Sequence, residues 1–135
     1  MAKPVVLCVD DEAIILMAMQ MELRQRLGPG YRYEGALNAQ AALEIIDGVV
    51  EDGAEGLMIV SDLLLPGLRG DELVREAWKR FPGAKAVIVT GNVDHEALAR
   101  LRAESPLCAV LPKPWSGEKL ARAVREALEN ECPHP

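Results

Sequence analysis

At 135 residues, half of them hydrophobic, the chain suits one domain with a real core and is not a disordered segment. Aromatic residues make up only 4%, so that core must be built from Leu, Val, Ile, Ala and Met. A formal charge of −6 leaves no basic stripe for phosphates, which disfavours direct nucleic-acid binding, and no apolar run approaches the ~20 residues of a membrane span. Met1-Ala2-Lys3-Pro4 leads into a strand that ends in acids, so it does not read as a signal peptide. Cys8, Cys108 and Cys132 lack metal-ligand spacing; reduced thiols in a cytoplasmic protein are expected, with Cys8 and Cys108 buried in apolar runs.

Strand-like and helix-like segments alternate along the chain. Val5 to Val9 is a short β-branched run of the kind buried on both faces of a parallel sheet. Ala13 to Leu27 follows with Leu16, Met19, Leu23 and Leu27 at helical spacing, until Gly28-Pro29-Gly30 stops it. Ile14, Met17 and Met21 recur on the same helix off that stripe, and fit either a widely buried helix or an adaptable apolar docking patch. Tyr31 to Ala36 reads as a second strand, and Asn38 caps a helix over Ala39 to Val50. Leu57 to Asp62 is the third strand, then a loop marked by Pro66, Gly67 and Gly70. An amphipathic helix over Asp71 to Phe81, carrying Trp78 toward the sheet, ends at Pro82-Gly83. Lys85 to Thr90 is the fourth strand, Asp94 caps a shorter helix to about Ala103, and Leu107 to Leu111 is the fifth strand. Ser116 opens a last helix with Leu120, Val124 and Leu128 on one stripe. Five βα units with short connections imply right-handed crossovers and a parallel sheet covered on both sides by five helices. One domain spanning 1–135 is expected, with its core over about 4–130 and a frayed tail over 131–135.

Ligands of an open α/β sheet bind beyond the carboxyl ends of its strands. Asp10 and Asp11 end the first strand here and Asp62 ends the third. Two carboxylates about 5 Å apart repel by roughly 3 kcal/mol at an effective dielectric near 20, so three of them call for a balancing cation. A hard ion such as Mg²⁺ takes oxygen ligands of this kind. Thr90 ends the fourth strand and Lys113 follows the fifth, offering a hydroxyl and an ammonium suited to a phosphoryl group on Asp62. Each residue alone has an ordinary explanation: a turn or cap for an Asp, a local hydrogen bond for a Thr, a solvated surface for a Lys. Their conjunction at strand ends is what points to chemistry.

Four stretches, VDDE (9–12), SDLLLPGLRG (61–70), VTGN (89–92) and LPKPW (111–115), resemble a response-regulator receiver domain of two-component signalling, over about residues 4–130. The resemblance implies a flavodoxin-like doubly wound α/β fold with strand order 2-1-3-4-5. It implies that Asp62 accepts a phosphoryl group, and that Mg²⁺ is held by Asp11 directly, by Asp10 mainly through water, by Asp62 and by the backbone carbonyl of Leu64. Thr90 and Lys113 would bind phosphoryl oxygens, and the Lys113–Pro114 bond would be cis. The partner implied is a histidine kinase or histidine phosphotransfer protein, docking near the first helix. The output surface, and a possible homodimer contact, would lie over about 94–130.

The sequence also departs from the family. Val110 stands where an aromatic residue often relays the threonine's movement. Leu64 and Asn92 flank the path of a hydrolytic water, and Leu64 is expected to slow it. Trp115 follows Lys113-Pro114 where Phe is commoner, and is expected to be a partly buried anchor at the head of the last helix. A Mg²⁺-dependent phosphohydrolase is the alternative, disfavoured because Leu64 replaces the second carboxylate such an enzyme would need. An FMN binder would need a Ser/Thr/Gly-rich phosphate loop where Asp10-Asp11-Glu12 stands. With no output module after residue 130, a single-domain regulator and a piece of a longer protein both remain open.

Overall fold

The computed structural model describes residues 3–91, 95–96, 99, 103 and 107–129, with the side chains of 107 and 108 outside that set. Along the chain run β1 (Val5–Val9), α1 (Ala13–Leu27), β2 (Arg32–Ala36), α2 (Ala39–Glu51), β3 (Leu57–Asp62), α3 (Gly70–Arg80), β4 (Lys85–Thr90), β5 (Leu107–Pro112) and α4 (Gly117–Glu129). The strands pair in parallel in the order β2-β1-β3-β4-β5. Five helices were expected, and four are present among the described residues. The expected helix from Asp94 to about Ala103, like the tail over 131–135, falls largely outside those residues.

The period of two in a strand sorts the apolar side chains into two cores. Val5, Leu7, Val9, Ile59, Ala86 and Ile88 face one side, where Ala42, Ile46 and Val49 of α2 and Leu73 and Ala77 of α3 cover them. Val6, Cys8, Met58, Val60, Val87 and Val89 face the other, against Leu16, Met19 and Leu23 of α1 and Leu120, Val124 and Ala127 of α4. β1 is buried at all five positions because β2 and β3 flank it and helices lie above and below. Edge strand β2, with Arg32 and Glu34 in its run, is only partly covered. Each fully buried Val, Leu or Ile in this arrangement contributes roughly 1.5–3 kcal/mol. Trp78 packs partly buried on the α2/α3 side, and Trp115 on the α1/α4 side.

Helix ends follow local chemistry. Asn38 Oδ1 accepts the Ala41 N–H at 2.8 Å, and Ser116 Oγ accepts that of Lys119 at 3.1 Å. Gly28, at φ 84°, closes α1 with its N–H on the Arg24 carbonyl. At the far end of α4, the Lys85 ammonium donates to the carbonyls of Ala127 at 2.8 Å and Leu128 at 3.2 Å, satisfying groups the helix leaves open. The sequence placed α3 from Asp71, but the helix begins at Gly70, and Arg69 stands as its cap. Asp71 and Glu72 supply the acidic first turn, and Glu72 Oε1 accepts the Arg69 backbone N–H at 3.4 Å.

The two possibilities for the outer side of α1 separate here. Ile14, Met17 and Met21 are 81%, 61% and 55% exposed, so they are not core. Cys8 is buried and free, and burial pushes its thiol up to about 12. The Cys108 side chain and Cys132 lie outside the described residues.

Candidate functional site

Adjacency of β1 and β3 brings the acids together. Val9 sits beside Ser61 in the ladder, so Asp10 and Asp62 leave neighbouring strands at nearly the same level. On the other flank Asp62 pairs with Val89, and Thr90 with Pro112, which places Thr90 and Lys113 on the same edge of the sheet. The Lys113 backbone N–H donates to the Thr90 carbonyl at 3.0 Å, fixing one strand end to the other.

Asp10 is buried, at 1% exposure, and its Oδ1 accepts the Glu12 backbone N–H at 2.9 Å. Asp62 Oδ1 accepts the Leu64 N–H at 3.2 Å. Its Oδ2 receives the Lys113 ammonium at 2.7 Å, and the same ammonium stands 3.6 Å from Asp10 Oδ2. Partial burial works against the charge on Lys113. The hydrogen bond and charge of Asp62, joined by the charge of Asp10, outweigh it and hold the ammonium above its ordinary range. Lys113 is therefore a fixed cation at neutral pH.

Carboxylate oxygens of Asp10, Asp11 and Asp62 lie within 4.8 Å of one another. An octahedral Mg²⁺ with bonds of about 2.0–2.1 Å sets its ligand atoms roughly 3–4 Å apart, so modest side-chain adjustment would close this set around one ion. All three are hard oxygen donors, which such an ion prefers over nitrogen or sulfur. The residues fit a small divalent cation.

Thr90 is buried at the end of β4. Leu64 is 46% exposed just beyond Asp62, and Val110 is half-buried on the α2/α3 side of the sheet. Asn92 lies outside the described residues. The Lys113–Pro114 peptide is cis. A hollow of about 530 Å³ opens beside Lys113, walled by Glu12, Ile15, Ala18, Pro114 and Trp115.

One residue of the site escaped the sequence reading. Gly70 was placed in the loop after Asp62, among residues that shape its turns. In the structure it opens α3 directly against the backbone of Asp62, and its N–H donates to the Leu63 carbonyl at 2.8 Å. A side chain there would collide with the Asp62 carbonyl oxygen and stand 3.0 Å from the Leu63 Cα. The only signal in the sequence is the glycine itself, which many loops carry for other reasons.

The family model for the response regulator receiver domain matches residues 6–125. Among curated proteins, the chain is similar to sensor kinase CckA of Brucella abortus (strain 2308), with 36% identity over 126 residues, or 93% of the chain. It spans 13%, 24% and 31% of the lengths of three curated relatives. Among solved structures, it is similar to a CheY-like response regulator receiver domain protein from Methanospirillum hungatei JF-1. That likeness has a TM-score of 0.79 and 28% identity, covering 96% of this chain and 95% of the other. The signal receiver domain of an HD domain-containing protein from Pseudomonas fluorescens Pf-5 gives a TM-score of 0.78 and 28% identity, covering 94% and 95%. Fold, strand-end acids and family match agree, and the chain belongs to the response regulator receiver domain family of two-component systems.

Proposed function

We propose that Asp62 is the phosphoacceptor, loaded from the phosphohistidine of a histidine kinase or histidine phosphotransfer protein. The observation that carries this reading is the Lys113 ammonium 2.7 Å from Asp62, with two further carboxylates beside it. An Asp62 oxygen attacks phosphorus, the P–N bond breaks, and its electron pair returns to the imidazole nitrogen. An acyl phosphate remains on Asp62. Lys113 transfers its contact from the carboxylate to a phosphoryl oxygen, and the Thr90 hydroxyl takes another. Asp10, Asp11, Asp62 and the Leu64 carbonyl would hold Mg²⁺, which when bound neutralises charge on the phosphoryl oxygens.

The test is acetyl phosphate with Mg²⁺, read by whole-protein mass. One phosphoryl group per chain is expected, suppressed when the metal is chelated. Rapid multiple turnover of a phosphate ester would instead support the phosphohydrolase, which Leu64 disfavours by standing where that enzyme needs an acid.

Leu64 bears on the lifetime of the product. An exposed apolar side chain two residues past the acyl phosphate crowds the approach of water and offers it no hydrogen bond. Leu64→Asn should shorten the phosphoryl half-life several-fold, and a half-life of only seconds in the unaltered protein would contradict the role given to Leu64.

Docking is assigned to the outer face of α1, where Ile14, Met17 and Met21 form an exposed stripe on the helix whose Ile15 and Ala18 line the hollow next to Lys113. Met17→Lys or Met21→Lys should slow transfer from a phosphorylated partner at least about tenfold, since desolvating an ammonium in an apolar contact costs more than 1.4 kcal/mol. Labelling by acetyl phosphate should persist. Equal loss of both would make these residues structural instead.

Without an aromatic residue at position 110, transmission would rest on Thr90 and the residues after it, toward an output surface and homodimer contact over about 94–130. Among the described residues no helix is long and apolar enough to cross a membrane. A cytoplasmic location is proposed on a separate ground, the likeness to receiver domains of two-component systems.

A further inference from the structure

The sequence carries five methionines, and the fold treats them unequally. Met19 and Met58 are sealed inside the α1/α4 core. Met17 and Met21 stand one helical turn apart on the outside of α1, 61% and 55% exposed, in line with Ile14. Cys8, the thiol a soluble oxidant would otherwise attack, is buried with its proton held to about pH 12, so it offers no thiolate at neutral pH. Among the described sulfur side chains, those open to oxidant all lie on one apolar strip. That strip adjoins the hollow beside Lys113, since Ile15 and Ala18 of the same helix line it.

We propose that Met17 and Met21 form a peroxide-responsive modification site whose oxidation withdraws the docking strip of α1. The proposal rests on the docking role given above to this face. Each thioether sulfur attacks one peroxide oxygen, the O–O bond breaks, an S–O bond forms, and the other oxygen leaves as water. Sulfur is oxidised to the sulfoxide and the peroxide is reduced. The product is a polar, hydrogen-bond-accepting group where an apolar one stood, and an apolar partner surface would have to desolvate it. Two such groups at i and i+4 interrupt the strip between Ile14 and the C-terminal turns of the helix. The change lies on the surface, so the core beneath need not rearrange, and methionine sulfoxide reductases can reverse it.

The experiment treats the intact protein with graded hydrogen peroxide. Peptide masses give the rate at each methionine, with Met1 scored separately, and retention on a phenyl resin reports the apolar surface. Oxidation of Met17 and Met21 should run at least about tenfold faster than that of Met19 and Met58, in line with their exposure. Retention should fall in step with it and return after treatment with both classes of sulfoxide reductase. A double variant, Met17→Leu with Met21→Leu, should keep its retention under peroxide. Comparable oxidation of Met19 and Met58, or unchanged retention once Met17 and Met21 are sulfoxides, overturns the proposal. The double variant Met17→Lys, Met21→Lys separates this from the docking reading. If those lysines leave retention unaltered, the strip is not an accessible apolar surface and the docking role fails first. If they shorten it but the sulfoxides do not, the modification site alone fails.

Discussion

Replacing Asp62 with alanine should abolish the uptake of phosphoryl groups from acetyl phosphate, leaving no mass increase where the unaltered protein is expected to gain one per chain. No neighbour is placed to take over. Asp10 is buried, with Oδ1 bonded to the Glu12 amide and Oδ2 facing the Lys113 ammonium. Asp11 is exposed on the turn leading into α1, while the Lys113 ammonium, the cation that would meet a transferred phosphoryl group, is turned to Asp62 and Asp10. The loss should exceed about a hundredfold in rate, the scale on which a positioned nucleophile outperforms a displaced one. The substitution leaves the core intact and removes an acid from a repelling cluster, so the protein should remain folded. Full labelling of Asp62→Ala would overturn the assignment of the acceptor.

A second large effect is expected at Gly70, where a single methyl group meets backbone. The Asp62 carbonyl oxygen and the Leu63 Cα cannot yield as a flexible side chain would. Either α3 withdraws at its first turn or β3 shifts at its last residue. Gly70→Ala should destabilise the protein by roughly 1–3 kcal/mol and lower Tm by roughly 5–10 °C. It should also slow acetyl-phosphate labelling, because the displaced backbone carries Asp62, the proposed acceptor. Gly48 provides the contrast within the same protein. It lies inside α2 with open space around its missing side chain, so Gly48→Ala should stabilise by up to about 1 kcal/mol through helix propensity alone. Thermal unfolding of the two variants side by side checks both signs. A Gly70→Ala protein as stable as the parent would mean that the close approach is not a constraint.

Much of this architecture was legible because its strands are buried on both faces. The runs of β1 and β3 stand out without any knowledge of their neighbours, and the acids that end them mark the edge where the site lies. Boundaries were less legible where tertiary packing decides them. Tyr31 reads as strand, but its ring packs partly buried on the α1/α4 side while pairing begins at Arg32. Gly70 reads as loop because its contact with Asp62 exists only once α3 has docked on β3. The outer face of α1 was ambiguous for a related reason. A helix apolar on both sides carries little periodic contrast. The stripe of Leu16, Met19 and Leu23 could be read as inward while the opposite side could be buried as well, and only the packing leaves that side exposed. The 2.7 Å contact between Lys113 and Asp62 joins residues 51 positions apart, and strand order alone allows it.

The exposed positions of α1 have a consequence for how such a protein can diverge. Ile14, Met17 and Met21 contribute little to the two cores, so their replacement by other side chains should change stability by no more than about 0.5 kcal/mol. Leu16, Met19 and Leu23 on the same helix tolerate no such freedom. Within 15 residues the chain therefore keeps two separate records, one constrained by the fold and one open to drift. On the docking role proposed for this face, a duplicated copy could acquire a different interlocutor through three surface substitutions while its strand-end acids and interior stayed as they are.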